Sequence, residues 1–566
     1  MWGVSRDIRG RSWGPTHQHI DPPFTRRHPL RTAAGVLVGI PVLLFLAEAA
    51  RLALGFSGAA SGLLAWTIGA ILVLAAARLG LTLAVAALTS TPRRRRAPPL
   101  RTPLRHPGAV RGVSAAARAR EGSVRCGGGA YLGQDEHGAW VTADPESAVL
   151  VLGPPRSGKT SAVMIPALMA SCGPALSTST KPDVLHATLP ARSEIGQAWL
   201  FDPSASEPDT LPNGVRRLCW SPVAAAGTWD EALITARAMT NATHPGAGTT
   251  NETHWAERAA ALLAPLLYAA NQTNQPIAQV LTWTLRQDLQ PASAILTDTN
   301  TPVAADVLAG IQNTDQRERS SIFSATAGVL AAYNSDAARA TAANPNFNPH
   351  QFVTSTDTIY ITAPEHKQNL CAPLIVGLLE QIRHATYQHH RTTPTHGPPM
   401  LWALDELANT APIHDLPALI SQAGGQHLQI LAGLQDLAQA RARWGQHHTD
   451  ALLSLFQTKL ILTGIQDPHT LEAISLALGE YDRNTVTQTL TRSEPQDWLT
   501  PTTHTTTASY QTQRQRTLPP GDIANLPPGQ ALHLHGTNWN TIQLTPWHQT
   551  EPWKTIASTS APEPPL

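Results

Sequence analysis

The run Gly153-Pro154-Pro155-Arg156-Ser157-Gly158-Lys159-Thr160 has the spacing G-x-x-x-x-G-K-[ST]. Two glycines in that frame let the backbone wrap closely, so that consecutive N–H groups can face phosphate oxygens. Lys159 then reaches the β- and γ-phosphates, and the Thr160 hydroxyl can ligate Mg²⁺. Far downstream, the apolar run Met400–Leu404 ends in Asp405-Glu406. Such a pair supplies one carboxylate, Asp405, for the Mg²⁺ shell, and a second, Glu406, to polarise an attacking water. Gln435 closes another apolar run, HLQILAG, and is placed to hydrogen-bond a γ-phosphate or its water. Each signal has a plainer reading. The first could be a Gly/Pro turn, the second a strand end followed by acidic helix residues, the third a surface glutamine.

These residues need particular elements beneath them. Ser147–Leu152 is short and apolar, suited to a buried parallel strand leading into the loop. Ser161–Ala170 predicts a helix whose N-terminal dipole adds to phosphate binding, with Pro166 limiting or bending it. Pro174–Leu185 reads as a strand and then a polar turn bearing Lys181 and Asp183, and Gln197–Ser204 as a strand ending in Asp202-Pro203. Strand signals return at Thr358–Thr362, Met400–Leu404, His427–Gly433 and Thr458–Ile465, with helices near Leu370–Ala385 and Thr470–Leu478. Alternation of this kind after a phosphate loop implies an α/β fold, a mostly parallel sheet covered on both faces.

The alternation is interrupted. Thr228–Thr240, His254–Ala270, Ile277–Arg286 and Arg317–Tyr333 all predict Ala-rich helices, with hardly any strand signal among them. We read this stretch as an all-helical insertion. Arg483–Leu518 is rich in Thr, Gln and Ser and predicts an exposed hairpin or mobile loop. Gln530–His535 and Thr541–Leu544 flank a Gly/Asn turn and predict a hairpin, and the Pro/Thr/Ser-rich tail beyond Trp547 predicts disorder.

A chain of 566 residues suits two or three domains. The net charge of +1 excludes a protein that binds nucleic acid through its overall charge, although the first 120 residues are rich in arginine. The four cysteines lie far apart, without zinc or redox spacing, as in reduced cytosolic proteins. Two apolar runs, Ala33–Leu54 and Gly62–Leu88, reach the ~20 residues a membrane span needs. Basic residues flank the pair on both outer sides, Arg93 to Arg96 above all, so the positive-inside rule predicts a hairpin with both termini cytoplasmic, anchored in the plasma (inner) membrane. A signal peptide ending near Ala47-Glu48-Ala49, or two buried soluble helices, are the alternatives. The expected organisation is a basic N-terminus (1–32), a transmembrane hairpin (33–88), a basic linker (89–120) and a first ATPase segment (121–225). The helical insertion (226–340), a second ATPase segment (341–546) and a disordered tail (547–566) follow.

GPPRSGKT after SAVLVL, then TSTKPD, LFDPS, WALDELA, LAGLQDLAQA, LILTGIQD and LPPGQALHLHG occur in one order. With the N-terminal hairpin, this resembles the conjugative coupling proteins of type IV secretion systems, the TraG/TraD group, in forms with a TraM-recognition-type C-terminal segment. The resemblance implies a RecA-like P-loop ATPase with a helical domain inserted between its motifs, assembled as a membrane-anchored homo-hexamer. It implies ATP and Mg²⁺ as cofactors. It also implies single-stranded DNA, its relaxase and the secretion channel as partners. On that resemblance Gly153–Thr160 bind nucleotide, Asp405 serves Mg²⁺, Glu406 is the catalytic base and Gln435 senses the γ-phosphate. Relatives often carry a basic residue after the Gly-rich turn that follows the acidic pair, where this chain reads Gly424-Gly425-Gln426-His427. A trans-acting arginine therefore comes from elsewhere or is absent, with Arg317 and Arg319 as candidates. A double-stranded DNA pump of the FtsK type, and a docking receptor that uses nucleotide only as a switch, are the competing functions.

Overall fold

The computed structural model describes residues 113–204, 210–243, 250–393, 397–493 and 503–559. The expected membrane hairpin, the basic N-terminus and most of the linker lie outside the described residues. Among the described residues no helix is long and apolar enough to cross a membrane.

The strands are β1 (Tyr131–Gln134), β2 (Trp140–Thr142), β3 (Val149–Leu152), β4 (Ala175–Ser179), β5 (Ala198–Phe201), β6 (Val215–Arg217) and β7 (Thr358–Thr362). Then come β8 (Met400–Leu404), β9 (Leu428–Leu434), β10 (Thr458–Leu462), β11 (Glu480–Ser493), β12 (Thr503–Arg516), β13 (Gln530–His535) and β14 (Asn538–Gln543). All but β11 and β12 join one sheet of 12 strands, ordered β2-β1-β14-β13-β10-β3-β9-β8-β4-β7-β5-β6. From β10 to β6 every pairing is parallel, while β13, β14, β1 and β2 extend the sheet antiparallel. The parallel strands β3, β4, β7, β8, β9 and β10 are buried along their whole length. Their sequences are accordingly mostly unbroken apolar runs, as helices on both faces demand. Both faces carry a core: Leu150, Leu176, Trp402 and Ile430 on one, Val151, Tyr360, Ala403 and Leu460 on the other.

Between β6 and β7 the described residues contain helices and no strand, from Trp229–Thr243 through to Pro349–Val353. Four of these helices, Gln290–Asp298, Pro302–Gln312, Asp336–Ala343 and Pro349–Val353, go unread in the sequence, because each is short and three of them have a proline near their start. The helical region shares an apolar core with the helix Gln368–Thr392 that follows β7. On the opposite face, Arg192 closes the helix Asp183–Arg192 and is completely buried. Its guanidinium donates to the carbonyls of Ser171, Gly173 and Thr356 and to the Thr358 hydroxyl. Burial lowers its pKa to about 10, so it stays cationic at neutral pH and pins the approaches to β4 and β7.

Three expectations need correction or choice. Arg483–Leu518, left open between hairpin and loop, contains most of a two-stranded antiparallel ribbon, β11 paired with β12 from Glu480↔Arg516 to Ser493↔Thr503. The basic linker stops short of residue 120, because a helix, Ala115–Arg125, buries Ala116 and Ala119. The tail is not disordered from Trp547. Residues 547–559 fold back as a short 3₁₀ turn and the helix Trp553–Ser558, burying Trp553 and Ile556. Trp553 stacks on Trp140 with ring centroids 5.2 Å apart and meets Tyr131 edge-on at 4.9 Å. A polar, proline-rich average conceals a single aromatic anchor. Trp553→Ala is expected to destabilise the domain by about 3–5 kcal/mol, the cost of an unfilled aromatic site. A thermal melt of the variant indistinguishable from wild type means the tail is not part of the fold.

Candidate nucleotide site

β9 lies between β3 and β8, so the phosphate loop and the acidic pair leave the same carboxyl edge of the sheet two strands apart, about 10 Å. The loop is tied to β9 at its start, where Gly153 N donates to Leu434 O at 3.2 Å. Within it Arg156 and Gly158 adopt left-handed φ of 65° and 100°. Glycine takes that conformation freely, whereas at Arg156 it costs roughly 1–2 kcal/mol. Pro155 and Arg156 are exposed at the crest. The Ser157 hydroxyl is buried and has no hydrogen-bond partner among the described residues, an orphaned donor inside the curl of the loop.

A helix starts directly at Lys159. Its first six residues, Lys159–Met164, are wound as a π-helix, and Ile165–Ala170 continue as α-helix. Pro166 therefore neither stops the helix nor sits in a regular ladder. It falls just after the wide turn, where its missing N–H is least costly.

Lys159 is 5% exposed, and its Nζ donates to Gly153 O at 2.5 Å and Pro154 O at 3.2 Å. Burial lowers its pKa, and the neighbouring carboxylates of Glu406, Asp405 and Asp436 push it back up. The Thr160 hydroxyl donates to Asp405 Oδ2. Burial raises the Asp405 pKa; the Thr160 hydrogen bond and the Lys159 charge oppose that rise. From β4 the Thr178 hydroxyl donates to the Asp405 carbonyl at 3.0 Å, fixing the strand end. Below the carboxylate β9 carries Gly433, where a Cβ would stand 3.0 Å from Asp405 Oδ1 and 3.0 Å from Met164 Cε. A side chain there would press on the acid and on the methyl tip of Met164, and both would have to give by a few tenths of an ångström.

Glu406 turns the chain out of β8 with a left-handed φ of 52°, and its carbonyl accepts from Asn409 N and Thr410 N, both at 2.9 Å. Its half-buried carboxylate accepts from Gln435 Nε2, 3.1 Å to Oε2 and 3.4 Å to Oε1. Gln439 also reaches it, with Nε2 3.5 Å from Oε2.

Lys159, Thr160, Asp405, Glu406 and Gln435, drawn from three strand ends, thus converge on one crevice. The residues suit a magnesium–triphosphate group: a basic side chain and an orphaned hydroxyl lie in a glycine-framed loop, and a hydroxyl–carboxylate pair offers the hard oxygens Mg²⁺ prefers. Arg317 and Arg319 stand apart. Arg319 donates to Gln312 O at 2.7 Å, Arg317 is exposed on the first turn of the helix Gln316–Val329, and neither bonds to the site. Thr178 and Gln439 are contacts the sequence did not announce. The D-x-x-Q spacing of Asp436 and Gln439, directly after Gln435, is the one local signal that could have pointed to the latter.

Residues 399–528 match the family described as the TraM recognition site of TraD and TraG. The chain is similar to the solved bacterial conjugative coupling protein TrwBdeltaN70 in its unbound monoclinic form. The identity is 17%, the TM-score 0.55, and the match covers 81% of this chain and 97% of that one. It is likewise similar to the plasmid coupling protein TrwB in complex with ADP and Mg²⁺, at 18% identity and TM-score 0.54, over 73% of this chain and 89% of that one. A third similar structure is TrwB with a non-hydrolysable ATP analogue, at 18% identity and TM-score 0.53, covering 71% and 86% of the two chains. No curated protein sequence matches the chain. These findings bear out the resemblance to the conjugative coupling proteins of the TraG/TraD group, and the large, mostly parallel sheet with its helical region is the fold of that solved protein.

Proposed function

We propose that this chain is a membrane-anchored coupling ATPase. It recruits a relaxase–DNA complex and drives single-stranded DNA through a type IV secretion channel, working as a homo-hexamer with ATP and Mg²⁺. One observation carries the ATPase reading: the Thr160–Asp405 hydrogen bond, which joins the phosphate loop to the acidic strand end. The fold shared with TrwB and the match of residues 399–528 to a TraM recognition segment support the conjugative setting.

The chemistry follows from the side chains. Loop N–H groups and Lys159 hold and screen the β- and γ-phosphates, the lysine exchanging its loop carbonyls for phosphate oxygens. Thr160 and Asp405 are the residues that would hold Mg²⁺, whose role is to neutralise charge on the phosphate oxygens. Glu406 stands where it can take the proton of the attacking water, and Gln435, bonded to that carboxylate, can orient the same water. The grip on DNA is electrostatic and blind to sequence, so it weakens steeply with salt.

The test is ATP hydrolysis by the full-length chain alone, with single-stranded DNA and with duplex DNA. The expected result is a several-fold stimulation by single strands and little by duplex at matched nucleotide. Stronger stimulation by duplex transfers the reading to a double-stranded DNA pump, and turnover indifferent to both removes DNA as the substrate.

A further inference from the structure

Asp436 and Gln439 have the spacing of a capping box at the start of the helix Leu437–Leu455, and the Asp436 carboxylate accepts Gln439 N–H at 2.9 Å. In such a box the third residue's side chain turns back to the N–H of the cap itself. Gln439 instead takes the N–H one residue earlier, its Oε1 accepting from Gln435 N at 3.0 Å. That bond settles which end of the amide is which. With Oε1 committed to a donor, Nε2 points the other way, toward Glu406 Oε2 at 3.5 Å. The Gln435 amide reaches the same oxygen at 3.1 Å. One carboxylate thus faces two amide donors, and one of those donors is held at its own backbone by the other.

We infer that Gln439 is a positioning residue for the carboxylate of Glu406: it aims the acid and sets Gln435 beside it, in addition to closing the helix. The inference rests on the reading of Glu406 as the base for ATP hydrolysis. The turn at Glu406 fixes the main chain through Asn409 and Thr410 but leaves the torsions of a long side chain open. Two amide donors select one orientation from that set. A separation of 3.5 Å is at the outer reach of a hydrogen bond, and contacts of this kind shorten when a site closes on its substrate.

The platform under Gln439 is rigid. Leu437 and Ala440 are buried on either side of it. One turn on, Trp444 Nε1 donates to Ile413 O at 2.7 Å and Arg443 Nη2 donates to Ala242 O at 2.6 Å. The helix breaks only after that, at Gly445, where φ is 80° and ψ 169°. Gln439 is therefore presented from a turn anchored to both the sheet domain and the helical region.

Gln439→Glu separates helix capping from positioning. A glutamate keeps an acceptor for Gln435 N–H and suits the third position of the box, but it replaces a donor by a second carboxylate facing Glu406. In the full-length chain with Mg²⁺ and ATP, kcat is expected to fall about 10- to 100-fold while KM and the melting temperature stay near wild type. Gln439→Ala should lower kcat similarly. In a Glu406→Gln background neither change should lower the residual rate further. If Gln439→Glu turns over like wild type, or if its loss adds in full to that of Glu406→Gln, Gln439 is a helix cap alone. The premise fails separately: wild-type turnover by Glu406→Gln removes Glu406 as the base, whereas a slow Glu406→Gln beside a fully active Gln439→Glu removes only this inference.

Discussion

Replacing Lys159 with alanine is expected to abolish ATP hydrolysis and to leave the fold standing. The ammonium is buried, and its desolvation lowers its pKa by more than the carboxylates of Glu406, Asp405 and Asp436 restore. Its partners, the carbonyls of Gly153 and Pro154, belong to the loop that should wrap the phosphates. Loss of one preorganised charge directed at developing phosphate charge typically costs about 10²–10³ in rate, and the lysine also screens the ground-state triphosphate. A loss of at least about 10³-fold in kcat/KM is therefore expected, with weaker equilibrium binding of nucleotide. Stability moves little. Removing a buried cation relieves a desolvation cost and leaves two carbonyls short of a donor, and these effects offset to within about 1–2 kcal/mol. Steady-state hydrolysis, nucleotide binding and a thermal melt on the same preparation decide the matter. Retained turnover in a folded variant means the phosphate loop has been misassigned.

Why the site was legible before the fold was known is clear from its parts. A phosphate cradle is a local device: glycine, lysine and threonine must sit within eight residues because one turn of backbone has to deliver them together. The strands beneath are buried on both faces, so β3, β8, β9 and β10 announce themselves as apolar runs, and Thr358–Thr362 is read to the residue. β6 escapes because Val215–Arg217 is a half-exposed edge of three residues with no pattern to read. The ribbon β11–β12 escapes a firm reading because it forms a separate sheet of polar, Thr-rich strands, with no apolar face to reveal a period of two. Gln439 escapes for a subtler reason. Its spacing from Asp436 is fully explained by helix capping, and only the folded chain shows that the other end of its amide meets Glu406. Trp553 is the converse: one residue outweighs the composition of the segment around it, because a stacked, buried aromatic ring offsets the ordering of a whole turn.

Glu406→Gln is expected to separate binding from chemistry. The substitution keeps the size of the side chain, and the turn depends on main-chain bonds from Asn409 and Thr410 that the change does not touch. The phosphate loop, Lys159 and the Thr160–Asp405 pair are unaltered, so ATP with Mg²⁺ should bind as in wild type. An amide cannot take a proton from water, and loss of a general base costs about 10²–10⁴ in rate, so kcat should fall by that factor. The oxygen of the substituted amide can still accept from Gln435 and Gln439, which keeps the crevice assembled while the reaction stalls. Stability gives an independent readout. Ligand present at about 100 times its Kd stabilises a folded protein by about 2.7 kcal/mol, an effect that fades as the ligand is consumed. Wild type incubated with limiting ATP should therefore lose its thermal shift as turnover proceeds, exchanging it for whatever ADP provides, while the variant should hold the ATP-bound shift for hours. A variant that hydrolyses ATP at the wild-type rate removes Glu406 as the base. A variant that neither hydrolyses nor shifts on adding Mg²⁺ and ATP assigns Glu406 to binding instead.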